Sequence, residues 1–130
     1  MRLEHAALVC GSQKKAETFY QGILGLRKAK SQTLDREMAK KIFDQPFACD
    51  ITLYKNQDLA VEVFVPHGEV EIRPGGFSHL CLKVDDREAF MEACRDAGLE
   101  VRRIPRGDGF LVFVKDFDGN LFEIKGREKP

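Results

Sequence analysis

"GFSHLCLKV", residues 76–84, reads as a second copy of "RLEHAALVC", residues 2–10. Each is a short apolar strand pattern with a histidine near its start, so His79 corresponds to His5 at a spacing of 74 residues. That spacing is too long for a solenoid and suits a duplicated half-domain. The segments that follow repeat as well. In "SQKKAETFYQGILGL", Ala16, Phe19, Tyr20, Ile23 and Leu24 recur at helical spacing, with Ser12 as N-cap and Gly25 just past the end. In "DDREAFMEACRDAGL", Ala89, Phe90, Ala93, Cys94 and Ala97 form a similar stripe, Asp85 with Glu88 resembles a capping box, and Gly98 ends the helix. Polar segments come next, "RKAKSQT" and "EVRRIP", and Pro105 suits only an edge or a strand end.

Each copy closes with a hairpin, "DITLYKNQDLAVEVFV" in the first and "GFLVFVKDFDGNLFEIK" in the second, where Asp118 and Gly119 supply the turn. The expected fold is therefore α+β. One domain, residues 1–130, holds two βαβββ modules at 1–66 and 77–130, joined by a linker at 67–76 that carries Pro and Gly. An extra stretch, "LDREMAKKIFD", sets Leu34, Met38 and Ile42 on one helical side, as expected of a packed connector.

Composition narrows the function classes. The chain has 21 basic and 21 acidic residues, and its net charge of zero removes the electrostatic footprint of a general nucleic-acid binder. The longest apolar run, Ala6 to Cys10, is far below the ~20 residues a membrane-spanning helix needs. The opening residues read as folded strand rather than as a secretory leader, which points to a cytoplasmic protein without a membrane partner. Cys10, Cys49, Cys81 and Cys94 form no C-x-x-C pair, so neither a thiolate zinc site nor a disulfide framework is expected. All four are expected reduced and partly buried, although the parity of Cys81 places it on the same strand face as His79.

That parity carries the chemistry. Leu59, Val61, Val63 and Val65 share one strand face and Ala60, Glu62 and Phe64 the other. Leu80, Leu82 and Val84 oppose His79, Cys81 and Lys83, while Phe122 and Ile124 oppose Leu121, Glu123 and Lys125. His5 shares its side with Leu3, Ala7 and Val9. The apolar faces must meet the amphipathic helices, so His5, Glu62, His79 and Glu123 all point away from them. Two imidazoles and two carboxylates form a donor set suited to Zn²⁺, Ni²⁺, Co²⁺, Mn²⁺ or Fe²⁺, and the ligand types alone do not choose among these.

The repeat, the strands "HAALV", "SHLCLKV" and "VEVF", and the closing "DFDGNLFEI" resemble the vicinal oxygen chelate superfamily, which includes glyoxalase I, methylmalonyl-CoA epimerase, fosfomycin-resistance enzymes, extradiol dioxygenases and bleomycin-binding proteins. Phe117 stands where that family commonly has proline. The resemblance implies paired βαβββ modules in a cup-shaped mixed sheet around a divalent metal ion. It also implies His5, Glu62, His79 and Glu123 as metal ligands, a small-molecule substrate and a homodimer.

The His/Glu/His/Glu set is similar to bacterial glyoxalase I. It implies a lyase or isomerase that transfers a proton alpha to a carbonyl through an enediolate, with Glu123 or Glu62 as the base. An epimerase, an extradiol dioxygenase and a non-catalytic drug-binding protein are the alternatives within the superfamily. Val9 and Pro66 stand near positions where bacterial glyoxalase I relatives carry a basic residue and an asparagine for glutathione, which argues against glutathione here. Arg73, Arg103 and Arg106 are available to an anionic substrate group, though charged loop residues are ordinarily solvated.

Overall fold

A computed structural model describes residues 4–68, 71 and 79–127. The chain divides into two compact units, Met1–Ile72 and Arg73–Pro130. Most of the 67–76 linker, with Arg73, lies outside the described residues.

The first unit contains β1 (Ala6–Val9), α1 (Gln13–Ala16) continuing as a π-helical segment (Glu17–Ile23), β2 (Arg27–Leu34), α2 (Arg36–Phe43), β3 (Cys49–Lys55) and β4 (Ala60–Pro66). The second contains β5 (Leu80–Lys83), α3 (Arg87–Asp96), β6 (Val101–Arg106), β7 (Gly109–Lys115) and β8 (Leu121–Lys125). Each unit is a four-stranded mixed sheet, ordered β1-β4-β3-β2 in one and β5-β8-β7-β6 in the other. In both, the first strand runs parallel to the last and the remaining pairs are antiparallel. This is the βαβββ plan expected from the repeat. No helix among the described residues is long and apolar enough to cross a membrane.

The alternation of the strands decides where each core sits. In the first unit Val61, Val63 and Tyr54 are fully buried beneath Ala16, Phe19 and Tyr20 of the helix, and Tyr20 stacks on Tyr54 at 5.7 Å. Gln13 donates to Thr52 and to the Tyr54 hydroxyl, each at 3.3 Å, satisfying the polar atoms at the rim of this core. Ser12 caps the helix by accepting from the Lys15 amide, and Gly25, at φ 70°, lets the chain turn out of it. In the second unit Leu82, Val112, Val114, Phe122 and Ile124 are buried with Met91, Cys94 and Leu99.

Three features of the helices differ from the expectation. The α3 cap is Asp86, which accepts from the Ala89 amide at 3.0 Å, while the adjacent Asp85 pairs with Arg127 at 3.2 Å, so no capping box forms with Glu88. The buried face also differs: Met91 and Cys94 are buried, whereas Ala89 and Ala93 are exposed. In α2, Ala39 is the buried residue, and Met38 and Ile42 are about half exposed, so the expected stripe is not packed.

The outer strands β2 and β6 are almost wholly exposed. Arg27, Lys28 and Lys30 on one, and Arg102, Arg103, Pro105 and Arg106 on the other, discourage pairing with a further chain.

Candidate metal centre

The parallel register of the first and last strands positions the functional side chains. Ala7 stands opposite Glu62 and Cys81 opposite Glu123, so the histidines two residues earlier lie diagonally from the same glutamates. His5 Nε2 is 3.5 Å from Glu62 Oε2, and His79 Nε2 is 4.0 Å from Glu123 Oε2. The two histidine side chains are each 39% exposed and the two glutamates 24% and 18%, so both pairs are open to a solute. The duplicated sequence has thus produced the same arrangement twice.

At ligand bonds of about 2.1 Å, neighbouring donors around a cation stand roughly 3.0–3.4 Å apart. The two pairs stand just beyond that range, at 3.5 and 4.0 Å, and their imidazole and carboxylate donors match borderline and hard divalent cations. Among the described residues no three His, Cys, Asp or Glu side chains gather around one point, and the four candidates stand as these two pairs. His67, the remaining histidine, pairs with Asp50 at 2.9 Å. That hydrogen bond holds the Asp50 carboxyl below the usual aspartate range, despite an opposing desolvation effect.

The surroundings of the pairs differ. Phe113 lies opposite Glu123 in the register and meets the His79 ring edge-on at 5.9 Å, bracing it, while Leu53 holds the matching position beside Glu62. Cys81 is exposed on the Glu123 side, in contrast to the packed thiol expected. Desolvation, and then the neighbouring Glu123 carboxylate, raise its pKa.

In the first unit Phe43 of α2 meets Phe64 edge-on at 5.3 Å, on the Glu62 side of the sheet. Arg103 is withdrawn from any substrate role on the Glu123 side. Its guanidinium and that of Arg87 lie over the Phe110 ring, 3.9 and 4.1 Å from the centroid, and Phe110 alternates with Phe113 onto the opposite face.

The turn that delivers Glu123 is organised by Asp116, which sequence reading passed over in favour of Asp118 and Gly119. Nearly buried, it accepts from the backbone amides of Asp118 and Asn120, both at 2.9 Å, and from the Asn120 side-chain amide at 2.7 Å. Asn56 performs the same task before β4, accepting from the Asp58 and Leu59 amides. The signal was present: an Asx residue directly after a strand, two residues before its first backbone donor.

The profile of the Glyoxalase/Bleomycin resistance protein/Dioxygenase superfamily matches residues 2–124. The chain belongs to this superfamily. Its fold is shared with solved members at low identity. The fosfomycin resistance protein FosX from Listeria monocytogenes superposes with a TM-score of 0.73 at 16% identity, over 98% of this chain and 94% of that one. A glyoxalase family protein from Bacillus cereus gives 0.75 at 15%, over 95% and 92%. The trypanothione-dependent glyoxalase I of Leishmania major gives 0.73 at 18%, over 97% and 86%. A search of curated proteins returned no match. Solved members of the superfamily therefore include proteins named for different chemistries on one fold, and the reaction must be argued from the site.

Proposed function

We propose that this superfamily member is a divalent-metal-dependent enzyme of glyoxalase type, a lyase or isomerase that moves a proton alpha to the carbonyl of a small substrate. His5 and Glu62 from a first unit and His79 and Glu123 from a second serve one cation, the two units coming from one chain or from two copies of it. The observation that carries this is the duplicated His–Glu pair, 3.5 Å apart in one unit and 4.0 Å in the other, on matching parallel strands.

The cation, when bound, supplies Lewis acidity to adjacent substrate oxygens. The chain supplies the rest. His5 and His79 are the neutral nitrogen donors, and Phe113 keeps the His79 ring aimed. Glu123 or Glu62 takes the proton from the acidified carbon and returns it to the neighbouring one, a role that needs a carboxylate within reach of both. Glu123 follows the Asp116 turn and Glu62 the Asn56 turn, so each carboxylate sits on an anchored strand.

Val9 and Pro66 offer no charged or amide group for glutathione, which argues against a glutathione-dependent substrate. Cytoplasmic location and dimerisation belong to the same reading.

Metal analysis of protein purified without added metal tests the donor set. Near-stoichiometric divalent metal that disappears in His79→Ala is the expected result, and a metal-free wild type overturns it. Turnover is then sought with Ni²⁺, Co²⁺, Mn²⁺ and Zn²⁺, using methylglyoxal with thiols and methylmalonyl-CoA. Glu123→Gln should lower turnover of a confirmed substrate by more than about threefold, and a smaller effect removes Glu123 from the proton-transfer role.

A further inference from the structure

Beyond Glu123 the β5/β8 ladder continues in rungs on the same face. Cys81 stands opposite Glu123, and the next rung on that face is Lys83 opposite Lys125. The intervening rung, Leu82 with Ile124, points the other way into the core. Lys83 and Lys125 are both exposed, and among the described residues neither forms an ion pair.

Two like charges side by side on neighbouring strands, about 4.8 Å apart at the backbone, cost stability rather than adding to it. Just past the end of the ladder opposite charges do stand together, as Asp85 and Arg127 pair at 3.2 Å. In the first unit the equivalent rung is Val9 opposite Phe64, which is uncharged. The dicationic rung is therefore particular to the second unit and is not a demand of the fold.

We propose that Lys83 and Lys125 form an oxyanion subsite that seats a carboxylate, phosphonate or phosphate group of the substrate. The proposal rests on the metal-centre reading only for what occupies the other end of the substrate. The rung lies two residues along β8 from Glu123, about 7 Å at the backbone, and lysine side chains reach roughly that far, so two ammonium groups converge on one anionic group a few bonds from oxygens held near His79 and Glu123. The substrate class is a compact carbonyl compound carrying an oxyanion, and the charge orients it so that the reacting carbon faces Glu123.

Methylphosphonate and acetate are the probes, with neutral dimethyl methylphosphonate as control, titrated into the full chain without metal while the lysine Cε–H NMR signals are followed. Saturable shifts of the Lys83 and Lys125 signals with one or both anions, absent with the neutral ester, are expected; which anion binds tells phosphonate from carboxylate. Lys83→Gln and Lys125→Gln should each weaken binding about tenfold. Shifts that fail to saturate, or equal affinity in the double variant, overturn the subsite. Mn²⁺ binding, read by electron paramagnetic resonance, separates the two readings. The lysine variants should keep it, and a wild type that holds the anion but no Mn²⁺ sinks the metal centre and leaves the subsite standing.

Discussion

At the scale of single residues, two buried polar groups decide more than their neighbours. Asp116 satisfies three donors within a turn of five residues, so Asp116→Ala leaves two backbone amides and one side-chain amide without their acceptor. We expect a loss of about 2–4 kcal/mol in urea unfolding, and a smaller loss for Asp116→Asn, which keeps the Oδ1 acceptor. Tyr54 is fully buried, and burial pushes its phenol up to about 12, with the Glu17 charge adding to the effect. The raised value means that the folded state holds the proton more tightly than the unfolded chain. Its contribution, on the order of a few kcal/mol, is whole below pH ~10 and is lost as pH climbs to ~12. Cys94, pushed up to about 11 by burial, acts with the same sign. Denaturant midpoints between pH 9 and 12 should therefore fall less steeply in Tyr54→Phe than in wild type. Tyr54 was readable as a strand residue, but its burial was not, because parity assigns a face without saying what covers it.

At the scale of elements, the helices show where periodicity stops being informative. Ser12 and Gly25 bound the first helix as expected, yet its second half widens into a π-helical segment whose Phe19 carbonyl accepts from the Leu24 amide at 2.9 Å. Apolar spacing does not separate the two helical forms over so few turns. In α3 two adjacent aspartates compete for the cap, which Asp86 takes, and the buried stripe runs through Met91 and Cys94. Met91→Ala should cost about 2–5 kcal/mol and Ala93→Ser under about 0.5 kcal/mol, the reverse of what the sequence stripe predicts. Thermal unfolding of the two variants decides it. In α2, Asp35 caps the start and Phe43 leans on Phe64 at the end, leaving Ile42 55% exposed.

At the scale of the whole molecule, a duplicated module means a duplicated half-site. Among the described residues each unit brings two of the proposed donors together, so cation affinity at the proposed centre depends on both pairs acting on one ion. Divalent metal at one hundred times its Kd should stabilise the fold by about 2.7 kcal/mol. Scanning calorimetry should show that gain in wild type and its loss in both His5→Ala and His79→Ala; a gain that survives either substitution would place the ion elsewhere. The edge strands argue the complementary point. Their arginines and lysines repel further strand addition, so sheet extension at the β2 and β6 edges is disfavoured.

By itself the sequence determined the two βαβββ modules, the strand faces, the positions of both histidines and both glutamates, and the superfamily resemblance. These depend on spacings within one element or on a repeat, and side-chain alternation along a strand or helix is a local property of the backbone. Only the tertiary structure decided that Glu62 and Glu123 come within 3.5 and 4.0 Å of their histidines, because those pairs close across parallel strands whose register is set by the whole sheet. It likewise decided that Arg103 packs on Phe110, that Cys81 is exposed, and that Lys83 stands beside Lys125. Each depends on how one element sits against another, where the free energy of packing and pairing, not local spacing, decides the outcome.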